Sequence, residues 1–407
     1  MQEAKVRVNA SQVVSDLRAG ASDSYLMTKY SLSPRGLLSL FEKLGERGLV
    51  DRSELEARIE QLETTVELDE ETVRYEIERE GLRTRYKWRH KTNGWVVCTP
   101  EVSQQSVYFG SWDTYVYCVD RELGKIRWKF RTRDVVRATP RIAGNLVYFG
   151  GWDSNFYAVE SDTGEERWRF GTDGPIWSSA ALDESTVYFG SASGYLFAAD
   201  LSTGALKWKF KMKATAINFM QSSPVVEHGV IFCGSPGGLL YALDPYNGAV
   251  KWTARTQGPV DSCAAVVEGM AYFGSADGNL YAVDAETGKG KWRFTTGRAA
   301  YSCPIVAGTT VYLSNSNGIL YAVDADSGVQ LWTFGEAPAV FTTPVVSGEV
   351  LYLGSSDGYL HALDLRTRQR LWRFKTYGPI LSSPVVRDGV IYFGSNDGNV
   401  YALSEHW

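Results

Sequence analysis

The sequence is poor in the residues that build metal centres and disulfide frameworks. It holds four histidines and five cysteines in 407 residues. Cys98, Cys118, Cys233, Cys263 and Cys303 are an odd set with no CxxC pair, and no histidine joins them at a zinc-binding spacing. They read as buried free thiols of a reducing compartment. No apolar run reaches the roughly 18 residues that a membrane-crossing helix needs. The opening MQEAKVRVNASQVV has neither the apolar stretch nor the cleavage site of a secretory signal, so the expected location is the cytoplasm. GxSxG, P-loop and HExxH patterns are missing, which leaves nucleophile-elbow, phosphate-cradle and zinc-protease chemistry without a carrier. A basic excess is missing too. The formal net charge is −5, and a nucleic-acid partner is not expected from it.

What is abundant points to strands and tight turns. There are 40 glycines, and 13% of residues are aromatic. Eight tryptophans form a comb: Trp88, Trp128, Trp168, Trp208, Trp252, Trp292, Trp332 and Trp372. They are spaced 40 residues apart except for 44 between Trp208 and Trp252. A fixed period of this length marks stacked repeats that share one continuous core. The clearest repeat runs from Lys251 to Trp292. It holds strand-like runs around Trp252, at Ser262–Val267, at Met270–Gly274 and at Asn279–Asp284. Glu268-Gly269, Asp277-Gly278 and Thr287-Gly288 supply the turns between them. Four short antiparallel strands per repeat make one propeller blade.

The segment YAVDAETGKGKW resembles the tryptophan-docking motif of pyrroloquinoline quinone-like (quinoprotein-type) repeats. The same pattern recurs at Ala158, Gly164 and Trp168, at Ala198, Asp200, Gly204 and Trp208, at Ala242, Asp244, Gly248 and Trp252, and at Ala322, Asp324, Gly328 and Trp332. Cys118, Glu160 and Arg368 depart from it. The resemblance spans about residues 83–407. It implies an all-β propeller in which the eight comb tryptophans dock between adjacent blades. The family so resembled includes quinone-dependent alcohol and sugar dehydrogenases. The adjacent cysteines of the alcohol dehydrogenases have no counterpart here, and neither their calcium ligands nor their catalytic aspartate can be placed. The expectation is therefore a non-catalytic branch, not an enzyme, with no cofactor and no metal. Non-enzymatic propellers of this kind, such as the outer-membrane assembly lipoprotein of bacteria, imply protein binding. No lipid-anchoring signal is visible. The recurring Asp120, Asp200, Asp244, Asp284, Asp324 and Asp364 read as turn residues at strand ends.

Strand counting predicts closure. Eight inner strands lie near Cys98, Thr139, Ser179, Ser223, Cys263, Cys303, Thr343 and Ser383, while the last repeat ends at YALS without an outer strand. The strand around Trp88 is left over at the start. It is expected to complete the last of eight blades, which removes the open edges.

Before the propeller, residues 1–62 read as a small all-α, helix-turn-helix-like module. Helices are expected over Ser11–Ala19, Asp23–Tyr30, Pro34–Leu44 and Ser53–Leu62, the third opened by Ser33 and Pro34. Nine basic and nine acidic residues give it little attraction for phosphate. Protein docking is favoured over placing Arg35, Ser39 and Lys43 in a DNA groove. Residues 63–82 read as an acidic linker.

Function is expected where the repeat is broken. Five tryptophans lie outside the comb: Trp95, Trp112, Trp152, Trp177 and Trp407. Trp112 and Trp152 occupy the turn between second and third strands, where other repeats have small residues. Trp95 and Trp177 lie at or before an inner strand. Strand direction puts these turns and the outer-to-inner loops on one face. A variable ring of Arg137, Trp177, Gln221, Asp261, Tyr301, Phe341 and Leu381 marks the mouth of the inner strands, and the longer loop adds Phe219. The candidate partner-binding residues are Trp95, Trp112, Arg137, Trp152, Trp177, Phe219, Gln221, Tyr301 and Phe341. They point to a scaffold that binds a protein or peptide, since tryptophan and arginine are favoured interface anchors. A quinone or small ligand in the central channel, and DNA binding by the helical module, are the alternatives. The sequence carries no signal of oligomeric state.

Overall fold

The computed structural model describes residues 10–21, 23–30, 37, 40–41, 43–44, 49–50, 55, 58, 86–213, 222–335 and 342–405. The chain divides into two compact units, Met1–Leu82 and Arg83–Trp407.

In the first unit, α1 (Ala10–Arg18) and α2 (Asp23–Tyr30) carry apolar residues at helical spacing. Val13 and Leu26 are fully buried, and they share a core with Leu37, Phe41, Leu44, Val50 and Leu55. Asp16 fastens the two helices: its carboxylate accepts hydrogen bonds from Lys29 Nζ at 2.7 Å and Tyr30 Oη at 2.6 Å. Lys43 is exposed. Arg35 and Ser39, most of the fourth expected helix and the acidic linker lie outside the described residues.

The second unit is an eight-bladed propeller. Each blade is a four-stranded antiparallel sheet laid down in chain order, except the last. There the order runs from Val385–Arg387 through Val390–Gly394 and Asn399–Ser404 to Tyr86–Lys91. Trp88 faces Ala402 and Lys91 faces Asn399, so the first strand of the unit closes its last blade. Arg121 locks the seam: its guanidinium reaches Tyr392 Oη at 3.1 Å and Asp388 at 2.7 Å. The second and third strands are the most buried, as in Ser106–Gly110 and Tyr115–Asp120. Outer strands alternate: in Ile126–Arg131 the Trp128 ring is buried between exposed Arg127 and Lys129.

The comb tryptophans bridge blades. Trp128 Nε1 donates to the Ser161 carbonyl of the next blade at 2.8 Å, and Trp88 to Arg121 O, also at 2.8 Å. The same bond joins Trp168 to Leu201, Trp208 to Pro245, Trp252 to Ala285 and Trp292 to Ala325. Each gives a large apolar ring a buried surface and its one polar atom a partner.

A second ring of bonds lies at the inner strands. Thr139 N donates to Ser179 Oγ at 3.1 Å, Ser179 N to Ser223 Oγ at 3.0 Å, and Thr343 N to Ser383 Oγ at 3.0 Å. Cys263 and Cys303 occupy this same register in neighbouring blades, and here the reading of five free thiols is corrected. The two form a disulfide with Cα atoms 5.0 Å apart. Side-by-side packing brings together equivalent positions one repeat apart, whatever their distance along the chain. Cys98, Cys118 and Cys233 are free and buried. Cys98 stands where other repeats use serine. Its sulfur accepts from Gly110 N at 3.1 Å, as Ser262 Oγ does from Gly274 N at 2.8 Å, and burial pushes its thiol up to about 12.

Candidate functional site

The site begins with a turn that uses up its own polar groups. Asp113 follows Trp112 between second and third strands. One carboxylate oxygen accepts from Tyr115 N at 3.2 Å. The other accepts from Tyr117 Oη at 2.7 Å and from Asn93 N at 3.0 Å. Asp153 repeats this with Asn155 N, Tyr157 Oη and Arg133 N. Each aspartate thus staples its turn to the loop that enters the same blade. Backbone bonds finish the join: Trp112 N donates to Trp95 O at 2.9 Å and Trp152 N to Val135 O at 3.1 Å. Ala192 with Pro175, Ala276 with Pro259 and Asn396 with Pro379 pair the two kinds of loop in other blades.

This scaffold brings the irregular tryptophans into one ladder. Trp95 and Trp112 have ring centroids 4.7 Å apart, Trp112 and Trp152 5.8 Å, and Trp152 and Trp177 5.1 Å with planes at 19°. The Arg137 guanidinium lies 5.8 Å from the Trp177 ring and ends the series. Trp95 is 48% exposed, and the other three rings are half-buried. The indole N–H groups of Trp112 and Trp152 are buried and have no hydrogen-bond partner among the described residues. This sets them apart from the comb tryptophans.

The ladder leads into a cavity of about 510 Å³ lined by Arg137, Trp177, Asp261, Tyr301, Leu381 and the inner-strand ring of Ser302, Cys303, Thr343 and Ser383. Burial lowers the affinity of Arg137 for its proton and raises that of Asp261, and no ion pair joins either among the described residues. Tyr301 is 46% exposed at the rim. Of the candidate residues, Trp95, Trp112, Arg137, Trp152 and Trp177 are therefore in one run of contacts, and Tyr301 shares the cavity. Phe219, Gln221 and Phe341 lie outside the described residues, as does Trp407. The cystine in the cavity wall was missed. Its signal was the 40-residue separation of Cys263 and Cys303, one repeat.

Among the described residues no helix is long and apolar enough to cross a membrane. Residues 83–239 and 316–406 match the family profile described as outer membrane protein assembly factor BamB. No curated protein matches. Among solved structures, BamB from Moraxella catarrhalis superposes with a TM-score of 0.71 at 22% identity, over 79% of this chain and 99% of that one. A europium-containing methanol dehydrogenase gives 0.69 at 14% identity, over 79% and 93%. The quinohemoprotein alcohol dehydrogenase from Comamonas testosteroni gives 0.68 at 16%, over 79% and 76%. At these identities the likeness is one of fold, shared by an assembly factor and by dehydrogenases alike.

Proposed function

Since the chain belongs to the family described as outer membrane protein assembly factor BamB, we propose that it is a non-enzymatic scaffold whose propeller captures a protein or peptide on the tryptophan ladder. The helical unit docks a second partner in this reading. The observation that carries it is the ladder itself: four rings that the repeat does not require, gathered on one face of three successive blades. Clustered aromatics beside an arginine have the composition of interface hot spots, and each would bury a large area at small entropic cost. Immobilised full-length chain and a Trp112→Ala/Trp152→Ala variant, checked for fold by circular dichroism, are exposed to extract of the native host. Specific capture lost in the variant supports the reading. Equal capture by both overturns it.

The cavity favours a second reading, a small ligand held at the channel mouth between Arg137, Trp177 and Tyr301. Absorbance spectra of the protein with added quinone and calcium test it. A bound chromophore that survives gel filtration would move the function toward ligand sensing or oxidoreduction.

A further inference from the structure

The ladder offers ring faces and almost nothing else. The N–H groups of Trp112 and Trp152 are buried. The carboxylates beside them are spent on Asn93, Tyr117, Arg133 and Tyr157. The backbone carbonyls of Trp95 and Val135 are taken by Trp112 and Trp152. A sugar stacked between the two ends of the ladder would find few partners for its hydroxyls among the described residues, at about 1–3 kcal/mol for each polar group left unmatched. An added β-strand would find the carbonyls at the ladder already bonded. What fits is a partner that is already extended and can lay apolar rings on the strip while its own polar groups stay in water. A polyproline II segment does both: its pyrrolidine rings pack on aromatic grooves, and its carbonyls, which make no internal hydrogen bonds, point outward to solvent.

Charge fixes the direction. Arg137 closes one end of the ladder, over Trp177 and in the cavity wall, with no carboxylate paired to it among the described residues. Asp261 lines the same cavity with no ion pair among the described residues, and it disfavours further negative charge deeper in. The centroid steps of 4.7, 5.8 and 5.1 Å make a path that a polyproline II chain, rising about 3.1 Å per residue, covers in roughly five residues.

We propose that the ladder docks a short proline-bearing segment in the polyproline II conformation, with a carboxylate at the end that meets Arg137. This rests on the scaffold reading above and narrows its partner to one chemistry.

The test uses full-length protein and two acetylated, amidated hexapeptides, five prolines followed by Asp or by Asn, with binding read by tryptophan fluorescence and calorimetry. The Asp peptide is expected to bind about tenfold tighter than the Asn peptide. Trp112→Ala and Trp152→Ala should each weaken both at least tenfold. Arg137→Gln, which keeps all four rings of the ladder, should erase the Asp preference by weakening the Asp peptide to the level of the Asn peptide. A preference that survives Arg137→Gln, binding of neither peptide, or tighter binding of cellohexaose overturns the proposal. If both peptides fail while capture from extract still depends on Trp112 and Trp152, the peptide chemistry falls and the scaffold reading survives. If capture is indifferent to those tryptophans, both fall.

Discussion

Gly164 lies flat against the ring of Trp128 in the preceding blade. A Cβ on it would sit 2.7 Å from Trp128 Cδ2, and its φ is +75°. Glycine is required there twice over, by backbone and by packing. Gly164→Ala is expected to destabilise the propeller by about 1–3 kcal/mol, read as a shift in denaturant midpoint at constant slope. Arg368 holds the equivalent turn with φ of +62°. Arg368→Gly should stabilise by about 0.5–1 kcal/mol.

Acid should loosen the seam. His90 sits on the closing strand Tyr86–Lys91, with Nδ1 2.9 Å from the Gly124 carbonyl and Nε2 buried without a partner among the described residues. The Nδ1–H tautomer donates that bond. Burial holds the imidazole below its ordinary value of 6.5, opposed in part by Gly124 and Asp113. The unfolded chain therefore takes up this proton first as pH drops. The penalty is absent above pH 6.5, grows as pH falls below it, and levels off once the folded imidazole is also protonated. Denaturation midpoints between pH 8 and 5 should fall more steeply in the wild type than in His90→Gln.

The cystine can be counted. Denatured, unreduced protein should show three reactive thiols, those of Cys98, Cys118 and Cys233, and five after reduction. Reduction should cost stability of about 2–4 kcal/mol, because the bond closes a long loop of the unfolded chain. Alkylation of protein taken directly from cells also tests the compartment. Three thiols place the chain in an oxidising space, and five in the cytoplasm.

Two tryptophans should respond oppositely to loss of the indole N–H. Trp168 donates to Leu201 O at 3.2 Å, a carbonyl that also accepts from Tyr148 Oη at 3.0 Å, so Trp168→Phe removes one of its two hydrogen bonds and should cost about 0.5–1.5 kcal/mol. Trp152 has no such acceptor among the described residues. Trp152→Phe should leave the midpoint unchanged or raise it. Thermal and chemical denaturation of both variants make the comparison.

The blade architecture was legible because period, turn residues and tryptophan register all report one unit, and the missing outer strand after Tyr401 demanded the one around Trp88. The shared face of Trp95, Trp112, Trp152 and Trp177 followed from strand direction alone. Their ring contacts did not, since side-chain rotamers belong to packing rather than to pattern. The Cys263–Cys303 bond was misread because proximity was judged along the chain. In a ring of repeats the nearest neighbour of a residue is its equivalent one period away, and hydroxyls at Thr343 and Ser383 already traced that circle. The cavity's uncompensated charges, Arg137 and Asp261, became meaningful only when they were found to lack ion pairs.

Closure by the strand Tyr86–Lys91 also sets a timetable. This strand leaves the ribosome before the rest of the propeller, and its partner Asn399–Ser404 is the propeller strand made last. While the other blades are being made it is an unpaired edge, the kind of surface that recruits strands from other chains. Three of its four exposed positions are basic, Lys87, Arg89 and Lys91, and the fourth is Tyr86. Those three positive charges have their greatest value before the ring exists, as guards on a strand that must wait.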